Sequence, residues 1–331
     1  MHTERITVII PVRNEEGNIS QILQDLECQK LDKSQFDVIV VDDHSSDTTC
    51  ETVRSIISRS KLTISLIELA DFSKISGKKS AISEGVKHAA TEIIFTTDAD
   101  CRLQSRMLEV IRESFGANTK LLAGPVQMIG KGVFHQMQAL EFSLLMSVGA
   151  VTIEKNIPVM CSGANLSFRR SVFLEVGGYS DNLHIPSGDD EFLLYSIWNK
   201  FGDGLAFLKS SDAIVTTPSH RDLSSFWNQR IRWTSKWKTN RNSKVQIAAI
   251  CFFLDQLFFL SALLMTFLGM FDWLLVATIF IVRVIPVYLL TRNLKKLTGS
   301  QYTILSLIFL QIFYPLHTLM MGLASIFGTY T

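Results

Sequence analysis

The feature that most constrains this chain is where its charges are missing. From residue 245 to the end, 87 residues carry only Asp255, Asp272, Arg283, Arg292, Lys295 and Lys296 as charged groups. Three apolar runs fill the stretch, roughly 246–270, 272–291 and 302–327, and each is near or above the ~20 residues a helix needs to cross a hydrocarbon core. The first 244 residues have the mixed composition of a soluble domain. The chain therefore reads as a soluble front with a membrane rear of three spans. Arg241 and Lys244 precede the first run, the 270–272 turn has no Lys or Arg, and Arg292, Lys295 and Lys296 follow the second. The preference of basic residues for the cytoplasmic side then puts the front and the 292–301 loop in the cytoplasm and the C-terminus on the far side.

Asp255 and Arg283 lie inside the runs, where ionisable groups are costly and usually paired. Counted from Lys244 and Arg292 at ~1.5 Å per residue, both sit roughly 15 Å from the cytoplasmic edge. Either they pin two helices as an ion pair, or they offer a polar surface to a lipid head group or glycan. The whole chain has 32 basic and 31 acidic residues, a balance that argues against a nucleic-acid partner. Five cysteines show no metal-ligand spacing, and read as reduced and mostly buried. The start, "MHTERITVIIPV", has no longer hydrophobic core or cleavage site, so no signal peptide is expected.

In the front, "ITVIIPV" (6–12), "DVIVVDD" (37–43), "TISLIEL" (63–69) and "EIIFTTD" (92–98) are short β-branched runs of buried-strand length. Between them come helical patterns: Ile19, Ile22, Leu23 and Leu26 on one face, then "SSDTTCETVRSII" with Thr48 and Glu51 spaced as a capping box, then "KKSAISEGVKHA". Four alternations of strand and helix predict an α/β fold, a mostly parallel sheet covered by helices on both faces. "LLAGPVQMI" reads as a further strand. The helix pattern over 133–151 carries His135, Gln136, Gln138 and Glu141, too polar for a span, and belongs in the core or along a membrane surface.

Ligands of such sheets bind beyond the carboxyl ends of the strands, and several polar residues fall there. Asp98 and Asp100 face the same way if the fourth strand continues that far, and two hard oxygen ligands suit Mg²⁺ or Mn²⁺ shared with substrate phosphates. The plainer alternative is a capping loop ahead of a helix in "RLQSRMLEVI". Asp42 and Asp43 end the second strand, and Asn14 and Glu15 follow the first, acceptors suited to a base and a ribose. Gly77, Lys78 and Lys79 open a helix, where amides and cations favour phosphate. Together they read as a nucleotide-diphosphate site with a metal.

"VIIPVRNEE", "VVDDHSSD", "GKKSA", "TTDADC", "CSGANLSFRR", "GDDEF" and "QRIRW" occur in the order found in family 2 glycosyltransferases, the inverting enzymes of the GT-A fold, and the resemblance covers roughly residues 5–240. The chain also resembles the membrane-attached members with a QxxRW motif, such as cellulose, hyaluronan and chitin synthases and ceramide glucosyltransferase. The resemblance implies that Pro11, Asn14 and Glu15 border the nucleotide and that Asp43 contacts uracil. Asp98 would touch ribose or sugar, Asp100 would ligate the metal, and Lys78 would sit near the donor. Asp190 matches the family's catalytic base, with a register uncertain by one among Asp189, Asp190 and Glu191. A plainer role for that acidic cluster is a solvated helix start.

In "FWNQRIRWTSKWKTN", helical spacing puts Gln229, Arg232 and Lys236 on one stripe and Phe226, Arg230, Trp233 and Trp237 on the next. An amphipathic helix on the membrane explains the pattern by itself. The match to QxxRW adds Gln229 and Arg232 against the diphosphate and Trp233 as a platform near the acceptor. The domains expected are a GT-A catalytic domain over 1–225, an interface helix over 226–245 and a transmembrane region over 246–328.

The function expected is a membrane-bound, UDP-sugar-dependent transferase that passes a sugar to a lipid or short glycan, with room for a partner membrane subunit. A processive polysaccharide synthase competes with it. A sugar-nucleotide nucleotidyltransferase or a catalytically dead membrane scaffold would be of another class. The nucleotidyltransferase needs neither QxxRW nor the spans, and the scaffold does not account for Asp43, Asp98, Asp100, Asp190 and Arg232 all being present.

Overall fold

The structure is a computed structural model and describes residues 4–69, 76–183, 185, 187–235, 243–300 and 302–327. The chain forms two compact units. One comprises residues 1–128 with 145–218, and the other 129–144 with 219–331.

The first unit is built on strands β1 (Ile6–Val12), β2 (Phe36–Asp42), β3 (Ile64–Glu68) and β4 (Ile93–Thr96), with helices α1 (Ile19–Glu27), α2 (Thr49–Ile57) and α3 (Lys78–His88) between them. These strands pair in parallel in the order β3-β2-β1-β4, so the sequence alternation does predict the sheet. The next elements are β5 (Arg102–Leu103), α4 (Met107–Ser114), β6 (Leu121–Ala123), β7 (Val126–Ile129), α5 (Val133–Glu154), β8 (Leu166–Arg169), α6 (Arg170–Glu175), α7 (Asp189–Phe201), β9 (Leu205–Phe207) and β10 (Val215–Pro218). The sheet continues through β8, antiparallel to β4 and β6, to β9, parallel to β6. A small second sheet has the order β5-β10-β7.

Alternation along the strands explains why both faces are dry. Ile9, Ile39, Val41 and Ile67 pack with Ala81, Ile82 and Val86 of α3 and with Leu193, Leu194 and Ile197 of α7. Val8, Ile10, Val38 and Val40 point the other way and are equally buried, as are Ile19, Ile22, Leu23 and Leu26 of α1.

Four sequence expectations are corrected. Strand β4 stops at Thr96, opposite Ile9 and three residues short of the end of β1. "LLAGPVQMI" is two strands in different sheets, split at Gly124–Pro125, where proline cannot donate to a ladder. Arg102 and Leu103 form a short strand and the helix starts only at Met107. The capping box of α2 is also not made. Thr48 instead gives its N–H and hydroxyl to Glu16 Oε2, at 3.1 and 2.6 Å, which ties α2 to the loop after β1.

The second unit contains α8 (Leu223–Ser235), α9 (Ser243–Phe267), α10 (Trp273–Thr298) and α11 (Ile304–Phe327). Among the described residues, three segments are long and apolar enough to cross a membrane: Ala249–Phe267, Trp273–Thr298 and Ile304–Gly322. Phe258, Leu264, Phe267 and Leu274 face outward, as side chains in hydrocarbon do. Helix α10 has a defined start and stop: Asp272 accepts from Leu274 N at 2.8 Å, and Gly299 takes the left-handed φ of +66° that glycine tolerates at a C-terminus. Arg283 of α10 donates to Asp255 Oδ2 of α9 at 2.6 Å and to Gln256 Oε1 at 2.6 Å, so Asp255 and Arg283 form an ion pair between the two helices.

Candidate functional site

The loops leaving β1 and β2 are hydrogen-bonded into one ledge. Asn14 and His44 take left-handed φ values of +56° and +61°. Asn14 Oδ1 accepts from Ser46 N at 2.8 Å, Asn14 N donates to Ser45 Oγ at 2.9 Å, and Glu15 N donates to Thr49 Oγ1 at 2.8 Å. Burial raises the Glu15 carboxyl above the usual range, and the charges of Asp100, Asp98 and Asp47 add to the effect. Pro11 lies near the end of β1, paired with Val41. Asp43, just beyond β2, is buried; its Oδ2 accepts from Gly77 N at 2.7 Å and lies 3.8 Å from Arg13. This fixes the start of α3, where Gly77 has φ +119°.

Because β4 ends early, residues 97–101 turn across the carboxyl edge, closed by Cys101 N to Asp98 O at 3.1 Å. Asp98 and Asp100 thus converge in a turn, whereas a longer strand was expected to align them. Asp98, Asp100 and Cys101 place their ligand atoms within 4.8 Å of one another. Among the described residues, the contacts of the Asp100 carboxylate are long, Thr217 Oγ1 at 3.5 Å and Cys101 Sγ at 3.6 Å. Burial pushes its carboxyl above the ordinary range, and the Asp98 charge adds to that. Burial, with the same two carboxylates, also raises the Cys101 thiol, so it stays protonated and ligates poorly. The result is a pair of hard carboxylate ligands, a donor set that fits a divalent cation such as Mg²⁺ or Mn²⁺.

Lys78, the first residue of α3, joins this turn to α7. Its Nζ lies 2.6 Å from Asp98 Oδ1 and 3.4 Å from Asp189 Oδ2. Burial alone would lower its pKa, but Asp189, Asp98 and Asp190 more than offset this and hold the ammonium charged. Asp190 Oδ2 accepts from Gly163 N at 3.1 Å and its Oδ1 from Glu191 N at 2.8 Å. Gly163 has to be small: a Cβ there would lie 2.6 Å from Asp189 Oδ2 and 3.2 Å from Lys78 Nζ.

Lys79, grouped with Lys78 in sequence, serves elsewhere. It is buried, its Nζ donates to the carbonyls of Asn182 and Ile185 at 2.9 Å each, and it stands over the Phe192 ring. It ties the segment before α7 to α3 and is not part of a phosphate cradle. Asp189's tie to Lys78 and the closeness of Gly163 were not foreseen. Their only signals were the consecutive "DDE" and the "SG" of "CSGAN".

The QxxRW residues are in the second unit. Helix α8 forms as its spacing predicts, with Arg232 exposed and Trp233 half-buried. Gln229 Oε1 accepts from the Arg230 guanidinium, and that guanidinium lies 4.3 Å from the Trp233 ring centroid. Lys236, Trp237 and Arg241 lie outside the described residues, as does the side chain of Lys244.

The chain is 23% identical over 236 residues to the poly-beta-1,6-N-acetyl-D-glucosamine synthase of Staphylococcus aureus (strain MSSA476), covering 70% of this chain and 54% of that protein. It is 26% identical over 244 residues to the probable glycosyltransferase YdaM of Bacillus subtilis (strain 168), covering 69% and 54%. The chain thus spans about half the length of the curated relatives it matches. Among solved structures, its fold is similar to that of the mannosyltransferase PcManGT from Pyrobaculum calidifontis, solved with GDP-Man and Mn²⁺. That match has a TM-score of 0.53 and 20% identity, and covers 70% of this chain and 61% of that one. The model of "Glycosyl transferase family group 2" matches residues 93–326. The model of "Glycosyl transferase family 2" matches residues 7–177, more than half of the chain, and the protein belongs to that family of glycosyltransferases.

Proposed function

We propose that this glycosyltransferase is membrane-bound and inverting, and moves a sugar from a UDP-sugar to a hydroxyl of a lipid or short-glycan acceptor. The observation that carries the reading is the convergence of Asp98, Asp100, Lys78, Asp189 and Asp190 at the carboxyl edge of one sheet. Asp100 and Asp98 would hold a Mg²⁺ or Mn²⁺ ion, which when bound supplies Lewis-acid stabilisation of a leaving diphosphate. Asn14, Glu15 and Asp43, with Pro11 at the strand end, border the nucleotide. Lys78 keeps the acidic cluster in register and adds positive charge beside the donor.

Asp190 accepts the proton of the attacking hydroxyl, and attack on the face opposite the diphosphate inverts the anomeric centre. Its two backbone donors aim the carboxylate. Gln229 and Arg232 meet the diphosphate, Arg232 by the paired donors of its guanidinium, and Trp233 offers the acceptor a flat apolar face. Residues 1–225 serve as the catalytic domain, on the cytoplasmic side given the basic residues that flank the spans. Residues 226–245 act as the interface helix and 246–328 as the membrane region.

A processive polysaccharide synthase is the second reading, favoured by the name of the Staphylococcus relative. Nucleoside-diphosphate release by the detergent-purified protein, over a panel of UDP- and GDP-sugars with and without metal and native lipid extract, tests both. Metal-dependent release from one UDP-sugar, increased by lipid, is expected. Release confined to a GDP-sugar would replace the donor, and a growing polymer would replace single transfer. Absence of nucleotide binding would refute the proposal.

A further inference from the structure

Helix α5 reads as apolar, yet one stripe of it is polar and buried. In the second unit, His135 Nδ1 lies 2.6 Å from Ser219 Oγ. Gln138 Nε2 donates to His220 O at 3.0 Å, and its Oε1 accepts from His220 N at 2.9 Å. One turn further, Glu141 meets Arg230 of α8, and each side chain is 4% exposed. Arg230 donates from Nε to Glu141 Oε1 at 3.0 Å and from its terminal nitrogen to Oε2 at 2.5 Å. Tyr314 of α11 donates to Glu141 Oε1 at 3.2 Å.

A buried ion pair is weak evidence for stability, because apolar residues of similar size often serve as well; its better-attested use is to specify one geometry. Arginine suits that use, since its planar fork meets a carboxylate through two parallel bonds and cannot rotate without breaking one. Here the rest of the plane is used as well. The third guanidinium nitrogen donates to Gln229 Oε1, and the guanidinium carbon lies 4.5 Å from the Phe226 ring centroid and 4.3 Å from that of Trp233. Phe142, next to Glu141, packs on the Trp233 ring with centroids 6.3 Å apart. Two of the three α8 side chains to which the proposed reaction assigns substrate contacts are therefore oriented by a residue of the motif that is not one of its fixed letters.

We propose that Glu141 and Arg230 are positioning residues for sugar transfer, holding Gln229 and Trp233 of α8 in the orientation that turnover requires. The inference rests on the role given to α8 above. The test uses the full-length, detergent-purified protein and three variants: Glu141→Gln, Arg230→Lys, and Glu141→Leu with Arg230→Met. The first two keep the approximate shape and lose the fork; the double variant replaces the pair with apolar groups that can pack.

Nucleoside-diphosphate release should slow at least about tenfold in kcat in all three, with donor KM changed by no more than about twofold. Recovery of full kcat by the double variant would show that the pair only holds the fold together, and would overturn the proposal. Fluorine NMR of 5-fluorotryptophan protein reads Trp233 without any turnover, its signal assigned by Trp233→Phe. That signal should move and broaden in Glu141→Gln, and an unchanged signal would also overturn the proposal. If the wild type turns over no donor, the assigned reaction fails, while the fluorine signal still decides whether the pair orients Trp233.

Discussion

Gly163→Ala is a one-carbon test of the site. Gly163 is not among the glycines with positive φ, so alanine brings no backbone strain and any effect comes from contact. The added Cβ would lie 2.6 Å from Asp189 Oδ2, whereas carbon–oxygen contacts settle near about 3.4 Å, so the carboxylate must retreat by roughly 0.8 Å. Asp189 stands 3.4 Å from Lys78 Nζ, and that retreat takes the pair to the roughly 4 Å limit of an ion pair or past it. The Lys78 ammonium, 3.2 Å from the same Cβ, cannot follow without leaving Asp98. Gly163 N also donates to Asp190, so the displacement reaches the proposed base.

Overpacking of this kind costs about 1–3 kcal/mol, or several degrees in melting temperature. Misplacement of a reacting group by about 1 Å can lower turnover about 100-fold. The expected result is a modest loss in melting temperature, a drop in nucleoside-diphosphate release of that order, and unchanged nucleotide affinity by calorimetry, because the ledge of Asn14, Glu15 and Asp43 is untouched. Gly17, with nothing within 4 Å of its Cβ position, provides the control: Gly17→Ala should be silent. Turnover by Gly163→Ala within twofold of wild type would refute the packing of Asp189 between Lys78 and Gly163.

Asp190→Asn should bind nucleotide normally and lose transfer by about 10²–10⁴-fold; normal turnover would move the base to Asp189 or Glu191. Because burial and Asp98 raise the Asp100 carboxyl, the stability tied to it is full below the ordinary carboxylate range and is lost as pH rises through the raised value. Asp100→Asn should therefore melt higher than wild type in chelator at pH 7, with the advantage fading on acidification, and divalent metal should stabilise wild type alone. A lower melting point in chelator would contradict that sign. Metal affinity of the wild type, measured by calorimetry, should weaken with acidification from a pH above the ordinary aspartate range. In the spans, Asp255→Leu and Arg283→Leu should each destabilise the detergent-solubilised protein, and the double variant should recover part of the loss, with a coupling of about 1–2 kcal/mol in a thermal-melt cycle. Additive losses would mean that the pair at 2.6 Å contributes nothing to holding α9 and α10.

Most of the sheet was legible because its strands follow a local rule. Runs such as Ile6–Val12 and Phe36–Asp42 need only β-branched residues of strand length with helical spacing between them, and Ile19, Ile22, Leu23 and Leu26 are all buried as their periodicity requires. Where the reading failed, a contact distant in sequence outweighed a local preference. Thr48 had a capping partner three residues away and took Glu16 instead. Lys78 and Lys79 are adjacent and equally basic, yet successive residues of a helix point about 100° apart, so one meets Asp98 and the other the carbonyls ahead of α7.

The two arginine–carboxylate pairs show where sequence reading stops. Asp255 and Arg283 can be matched from the amino acids alone because a bilayer turns position along a helix into depth. Two charges counted from their own basic flanks come out level, and the hydrocarbon offers few other partners. No such coordinate exists for Glu141 and Arg230. Counted along α5, Glu141 is a polar residue in an apolar helix, and counted along α8, Arg230 is a cation on one of two stripes of an amphipathic helix. Neither count places the two helices side by side. Only the packing does so, and it sets Phe226 and Trp233 beside the Arg230 guanidinium that meets Glu141. The spacing of α8 puts Phe226, Arg230 and Trp233 on one stripe, and no spacing names the Glu141 which that stripe meets.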